Sequence, residues 1–456
     1  MDSVFEAAYE TLHARLSAND HTGEGCRLFV THGEILKSII FKTIKPRVNH
    51  EEGLGRLPAH IENINALSAR DGKLKVIFCV PRLYIQHVNH SRGLRQRGHK
   101  TVLICSWPLT TYGPPLRDVL GEFDYVYCSG YDNFLLFDAV SQIQGDLLYT
   151  VDYMNNNWFC QILQMLWKNK TVLEVYDLAD NVGYPQEFTE KVVERSIGEG
   201  LTRLENAART YLYSHVDGLV FKDGEKAFER LRRGYHVNCP AVKFHPYFSR
   251  STWEGRERPK LSAQDGRLHV VHSGFIPPRE PSAGTHLHHC IYDVAQILAD
   301  QGIHFHIYNP LDLDGTLLAD FSALADKSPF IHYHRPVYIN DLPSTLSQYD
   351  IGWMVYDYSD RPVEGMERYE VSFSSRMLTY IAAGLPFFVA KEFRSMAAFA
   401  QEKGIGHVLD YHDIDCLGKI VKGFDIDARC TNVNRVREEL AMEHKVKHLE
   451  TFFMDL

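Results

Sequence analysis

Two tandem doubly wound α/β domains, each built on a parallel sheet, are the fold class this sequence predicts. Three observations predict it. From Leu74 onward, short apolar or β-branched runs alternate with helical segments, the pattern of a parallel sheet with crossover helices. A polar stretch at 249–266, SRSTWEGRERPKLSAQDG, interrupts that alternation as an interdomain linker would. Beyond it the alternation restarts and continues over a similar length. A chain of 456 residues with 45% hydrophobic content suits two or three domains with sizeable cores.

The elements follow in order. Residues 1–72 read as an N-terminal extension with a helical stretch from Val4 to Leu16, a glycine-containing break at His21–Gly25 and a polar segment around Asn49–Gly55. Residues 73–248 form the first α/β domain. KVIFCVP (Lys75–Pro81) is its first strand, SRGLRQRGH (Ser91–His99) a helix with its stop signal, and KTVLICS (Lys100–Ser106) the next strand. Further strands are expected at Asp124–Ser129, Gly145–Val151, Thr171–Asp177 and Asp217–Lys222. Residues 267–433 form the second domain, with strands at Arg267–Gly274, His304–Pro310, Phe330–Val337, Asp350–Asp357 and Leu385–Lys391 and a helix over about 286–301. The final stretch, 434–456, has helical spacing at Val436, Leu440, Val446 and Leu449 and is expected to pack back across the domains.

Composition narrows the function classes. With 49 Lys plus Arg against 58 Asp plus Glu, the net charge is −9, which argues against nucleic-acid binding through phosphate neutralisation. Nine cysteines without a CxxC pair, two of them inside apolar strand-like runs, fit a reduced cytosolic setting. The N-terminal segment lacks the apolar core of a signal peptide and no window reaches a membrane span, so peripheral membrane contact is the form of membrane association left open.

Ligands of open α/β sheets bind outside the carboxyl ends of the strands, so two such domains are expected to place a cleft between those ends. The richest strand-end segment is SFSSRMLTYIAAGLP (Ser372–Pro386), a serine-rich turn opening a helix that ends at Gly384 and Pro386. Ser374, Ser375 and Arg376 there combine free backbone N–H groups, hydroxyls and a positive charge, an anion site suited to a diphosphate. The plain alternative is that serine merely caps the helix.

Several segments carry a resemblance. RGLRQRGHKTVLI (Arg92–Ile104), HVDGLVFKDGEKAFERL (His215–Leu231), VVHSGFIPP (Val271–Pro278), LPSTLSQYDIGWMVY (Leu342–Tyr356) and above all SSRMLTYIAAGLPFFV (Ser374–Val389) look like the corresponding elements of GT-B-fold glycosyltransferases. The chain resembles in particular the retaining nucleotide-sugar enzymes of glycosyltransferase family 4 and their relatives, over roughly Leu74–Asp410. The resemblance implies a nucleotide-sugar donor held by the second domain, and a glycan, lipid-linked or protein acceptor held by the first. It implies no separate cofactor, and a leaving diphosphate stabilised by charge rather than by a metal.

Carried over position by position, the resemblance makes Arg376 the cation facing the donor diphosphate and Gly274 the turn that lets backbone approach the phosphates. Ser374 and Ser375 would add hydrogen bonds to the diphosphate or sugar. Two departures stand out. Thr379 occupies the position where relatives have a ribose-gripping Glu, and the partner Glu position holds Val371, with Glu370 beside it. In the first domain PRLYIQHVNHS (Pro81–Ser91) lacks the usual paired glycines, so His87, Asn89 and His90 are expected to supply polar contacts instead, His87 and Asn89 to the acceptor. Asp177 and Asp180 in EVYDLADN are acceptor-hydroxyl candidates, Asp177 also a catalytic one. Arg279 is a second phosphate candidate. Turn chemistry for the two aspartates and a solvated loop for Arg279 are the ordinary alternatives. An inverting course would instead use Asp177 or His87 as base.

Other readings stay open at this point: a sugar-nucleotide epimerase or phosphorylase on the same fold, or a non-catalytic sugar-binding scaffold. The 24 histidines raise a metal enzyme as well. THLHH (Thr285–His289), HFH (His304–His306) and HYH (His332–His334) look like ligand groups, since HxH on a strand puts both rings on one face. No HExxH or carboxylate at fixed spacing accompanies them, and HFH alternates with Phe305 and Ile307 as a half-buried strand does. Structural or surface histidines are therefore expected rather than metal ligands.

Overall fold

The computed structural model describes residues 2–19, 31, 33, 36–37, 40, 49–108, 116–152, 156–176, 201–274, 276, 290–309, 319–358 and 367–456. Two compact units emerge: Met1–His245 with Val446–Leu456, and Pro246–Lys445.

The first unit is built on a seven-stranded sheet in the order β3-β2-β1-β4-β5-β6-β7. Its strands are β1 (Lys75–Val80), β2 (Lys100–Cys105), β3 (Tyr125–Cys128), β4 (Leu147–Asp152), β5 (Lys170–Val175), β6 (Gly218–Phe221) and β7 (Ala241–Lys243). Every pairing is parallel. β1, β4 and β6 are buried along their whole length, as the continuous apolar runs of a sheet covered on both faces require. β7 was not anticipated, because this three-residue edge strand buries none of its residues and leaves no apolar signal.

The N-terminal extension belongs to this unit. Its helices α1 (Asp2–Asn19) and α2 (His50–Ala66) pack against other helices of the unit. Helix α3 (Ile85–Gln96) starts six residues earlier than Ser91, the start the sequence suggests. Helix α4 (Asn133–Gln142) receives the extension: Phe5 lies over Phe134 with ring centroids 6.3 Å apart, and buried His50 bonds Asp132, the N-cap of α4, at 2.6 Å.

The second unit holds a six-stranded parallel sheet in the order β10-β9-β8-β11-β12-β13. Its strands are β8 (His269–Ser273), β9 (His304–Tyr308), β10 (Ile331–His334), β11 (Ile351–Met354), β12 (Phe387–Ala390) and β13 (Gly406–Leu409). The first five match the anticipated runs. β13, Gly-His-Val-Leu, is too short and too mixed to announce itself. Helix α5 (Ser375–Ala382) precedes β12.

The expected single helix near the C-terminus is two, α6 (Ile426–Glu439) and α7 (Met442–Asp455). No glycine or proline marks the break. The Met442 N–H donates to the Phe248 carbonyl at 2.9 Å, so a tertiary contact sets the turn. The end of α7 docks on the first unit, where Glu450 receives Lys73 Nζ at 2.7 Å, His99 Nε2 at 2.9 Å and the Arg97 guanidinium.

Candidate functional site

In each sheet the strand order reverses between two central strands, β1 and β4 in the first and β8 and β11 in the second. The crevice at the carboxyl ends of such a pair is where open α/β sheets bind ligands. The second unit builds the more complete arrangement there.

Helix α5 points its N-terminus at that edge. Ser374 is extended (φ −71°, ψ 136°) and its hydroxyl accepts the Arg376 N–H at 3.2 Å, a regular N-cap. Arg376 and Tyr380 lie four residues apart, hence on one face of the helix. The Tyr380 hydroxyl ties the two switch-point strands together: it accepts the Ser273 N–H at 3.1 Å and donates toward the carbonyls of Val271 at 3.2 Å and Trp353 at 3.1 Å. Gly352 on β11 makes room for that ring, since a Cβ there would stand 2.6 Å from it. Tyr380 escaped the sequence analysis; the signal was its four-residue spacing from Arg376.

Arg376 is half-buried against the end of β8. A Cβ built on Gly274 would lie 1.9 Å from its Nη2, so the guanidinium rests directly on the Gly274 backbone. Its Cζ is 5.6 Å from the Tyr356 ring centroid. Among the described residues its buried Nε has no hydrogen-bond partner and no carboxylate pairs with it. Burial, opposed by the Tyr380 hydroxyl, lowers its pKa, yet a guanidinium stays protonated. Burial, reinforced by Arg376, also holds His272 well below its ordinary value, so this histidine is neutral and leaves Arg376 as the local charge.

The remaining donor-side candidates divide. Gly274, Ser374, Ser375 and Arg376 come together at this edge. Thr379 is buried and donates its hydroxyl back to the Ser375 carbonyl at 3.0 Å, so its proton is spent inside its own helix. Glu370 faces Arg394 at 3.2 Å rather than Arg376. Arg279 lies outside the described residues, as do Asp177, Asp180 and the THLHH cluster.

On the first-unit side, His87 and Asn89 sit inside α3 rather than in a loop, and both are buried. His87 Nε2 meets the Glu174 carboxylate at 3.0 Å, and the Tyr149 hydroxyl donates to the same oxygen at 3.2 Å. Burial pushes the Glu174 carboxyl up, but these bonds and the nearby His90 outweigh it and keep the carboxyl below its ordinary value. His90, one turn further along, has no partner among the described residues for either ring nitrogen, and burial lowers it to about 4. The sequence marked His87 and Asn89 as polar contacts to an acceptor; the helix turns them into the core.

The sequence matches no protein-family model and no curated protein. Solved structures do match. The S. aureus MnaA–UDP co-structure superposes with a TM-score of 0.51 at 9% identity, covering 82% of this chain and 95% of that one. The fold is GT-B. Two further solved structures align over their whole length at lower TM-scores. The UDP-GlcNAc 2-epimerase from Neisseria meningitidis bound to UDP-GlcNAc gives 0.47, at 10% identity over 84% of this chain and 100% of that one. The UDP-glucose:anthocyanidin 3-O-glucosyltransferase in complex with UDP gives 0.44, at 8% identity over 85% and 100%. Among the described residues no helix is long and apolar enough to cross a membrane.

Proposed function

We propose that the protein is a nucleotide-sugar-using enzyme whose second unit holds the donor diphosphate at the end of β8, and that it transfers the sugar to an acceptor hydroxyl. One observation carries this reading: Arg376 presents a half-buried guanidinium without a carboxylate partner among the described residues, seated on Gly274 beside the N-terminus of α5. A cation withdrawn from water and left uncompensated is a charge kept for an anion. The helix end adds about 0.3–1 kcal/mol for an exposed anion, and charge-assisted bonds from the guanidinium about 1.5–3 kcal/mol, so Arg376 is the principal partner.

In this reading the bond between the anomeric carbon and the diphosphate oxygen breaks, and Arg376 stabilises the charge that develops on the departing diphosphate. A retaining course lets that diphosphate accept the acceptor's proton on the same face, which asks little of acid–base side chains. Gly274, Ser374 and Ser375 complete the phosphate cradle. Asp177, Asp180 and Arg279 stay candidate contacts to acceptor and phosphate. Membership of glycosyltransferase family 4, the cytosolic setting and the glycan, lipid-linked or protein nature of the acceptor belong to the same proposal.

The test is a panel of nucleotide sugars assayed for thermal stabilisation and for consumption, with and without acceptors. Transfer predicts consumption that yields a glycosylated product. Consumption to an isomeric nucleotide sugar without acceptor makes the protein an epimerase, and binding without turnover makes it a scaffold. Arg376→Ala is expected to keep the fold and lose most turnover; near-normal turnover would remove Arg376 from the site.

A further inference from the structure

The histidines of HFH and HYH meet a fifth, His269, on one face of the second sheet. Parallel register sets His269 beside His304 and His306 beside His332. The His269 and His304 rings stack with centroids 4.4 Å apart and planes 5° from parallel, and the His306 and His332 rings stack at 4.3 Å and 10°. At the open end of this stack stands Asp265, the last residue of a short helix that Gly266 closes in the left-handed conformation (φ 70°). One carboxylate oxygen, Oδ1, accepts the Arg267 N–H at 2.9 Å. The other, Oδ2, faces His269 Nε2 at 3.2 Å and His304 Nε2 at 3.3 Å.

We propose that Asp265, His269 and His304 form a site for a divalent transition metal of the zinc class, held by Asp265 Oδ2 and the two Nε2 atoms. The site is distinct from the Arg376 site and does not rest on that reading. The three ligand atoms already lie within 4.8 Å of one another. Tetrahedral ligation with bonds of about 2.0–2.1 Å needs ligand atoms roughly 3.3 Å apart, close to the two carboxylate–imidazole separations here. Asp265 is 39% exposed on its side chain while His269 and His304 are 6% and 13% exposed, so an ion enters from solvent against an ordered pair of rings. The Arg267 guanidinium, the nearby fixed cation, is drawn aside over the Phe330 ring at 4.9 Å.

The stack behind the ligands supplies what a metal-bound imidazole requires, an acceptor for its other ring proton. His269 Nδ1 lies 2.9 Å from His306 Nε2, and His304 Nδ1 lies 2.9 Å from His332 Nε2. His306 Nδ1 is in turn 2.9 Å from His334 Nε2. Each nitrogen–nitrogen contact needs one N–H and one lone pair. Without a metal, neutral rings satisfy all of them when every ring carries its proton on Nε2, with Asp265 as final acceptor. With the metal on the outer Nε2 atoms, every proton moves to Nδ1 and the same contacts are satisfied in the opposite sense. The site sits at the amino-terminal end of β8, and Gly274 follows its far end, five residues and roughly 16 Å from His269 at about 3.3 Å per residue. That separation gives the metal a structural role, pinning β8, β9 and the preceding turn, rather than contact with the donor.

The experiment titrates the chelator-treated full chain with Co²⁺, whose visible absorption reports tetrahedral nitrogen and oxygen ligation, and with Zn²⁺ in competition. One equivalent with an intense visible band is expected. Asp265→Asn, an exposed and nearly isosteric change, and His304→Phe, which keeps a stacking ring, should each weaken binding at least about 100-fold. His448→Ala, an exposed histidine elsewhere, should leave it unchanged. Imidazole ¹⁵N spectra should show the move from Nε2–H to Nδ1–H on Zn²⁺ addition. Absence of binding below about 100 µM, or unaltered binding in Asp265→Asn, overturns the proposal. Should His304→Phe fail to fold, Asp265→Asn and the tautomer spectra still decide.

Discussion

Replacing Gly274 by alanine probes the Arg376 site without touching a charged group. The new Cβ would stand 1.9 Å from Arg376 Nη2 and 2.5 Å from its Cζ and Nε. Non-bonded carbon and nitrogen need about 3.5 Å, so the guanidinium must retreat by roughly 1.5 Å. It retreats inside a confined space, with Nε buried and the Tyr356 ring nearby. Overpacking of this kind costs about 1–3 kcal/mol, and the upper half of that range applies because Gly274 sits at φ 156°, where a Cβ strains the backbone as well. A cost of about 2–3 kcal/mol lowers the melting temperature of a unit this size by roughly 4–12 °C. Displaced charge-assisted bonds are worth about 1.5–3 kcal/mol, so nucleoside diphosphate affinity should fall roughly 10- to 150-fold. Calorimetric titration of wild type, Gly274→Ala, Arg376→Ala and the double variant measures this as a cycle. In the Arg376→Ala background the glycine change should have almost no further effect. Unchanged affinity in Gly274→Ala, or two losses that simply add, would refute the claim that Gly274 acts by seating Arg376.

Two further predictions concern the first unit. His90 is packed against Tyr149, Phe244 and His87, with Glu174 as the nearby carboxylate, and among the described residues neither of its ring nitrogens has a partner. Its folded pKa of about 4 lies below the ordinary 6.5, so the unfolded chain binds more protons and stability falls as pH drops from about 6.5 toward 4, by roughly 2 kcal/mol at pH 5. His90→Phe should be neutral or stabilising at pH 7 and should flatten this slope in urea titrations at several pH values; a steeper slope would contradict the assignment. At Glu450 burial raises the carboxyl, but Lys73, His99 and Arg97 overcome it and hold the pKa at about 2, so its contribution is present above about 4.5 and is lost as pH falls toward 2. Glu450→Gln should cost about 1–3 kcal/mol at pH 7, moderated because Lys73 and Arg97 reach solvent, and an unmoved urea midpoint would show that α7 docks without this cluster.

Much of the molecule was legible from local pattern. A continuous apolar run such as VIFCV (Val76–Val80) announced a fully buried parallel strand, because a strand covered on both faces has no polar side to show. Ser374 and Gly384 bracketed α5 because caps act through neighbouring backbone groups. The edge strand β7 and the break between α6 and α7 were not legible. The first buries none of its residues and the second is set by a bond to Phe248, 194 residues away in the chain for nearby Glu443 and Ser249 as well.

The site divides along the same line. By itself the sequence determined two parallel α/β sheets and a serine-arginine helix start after a strand, since periodicity and capping are properties of adjacent residues. Tertiary structure alone decided that Gly274 and Arg376 touch, that Tyr380 binds both switch-point strands, and that His87 faces Glu174 inside the core. It also decided that Asp265, read as linker, meets histidines from two strands. Those facts depend on strand order and register, and parallel neighbours are joined by crossovers whose length hides which residues will stand side by side.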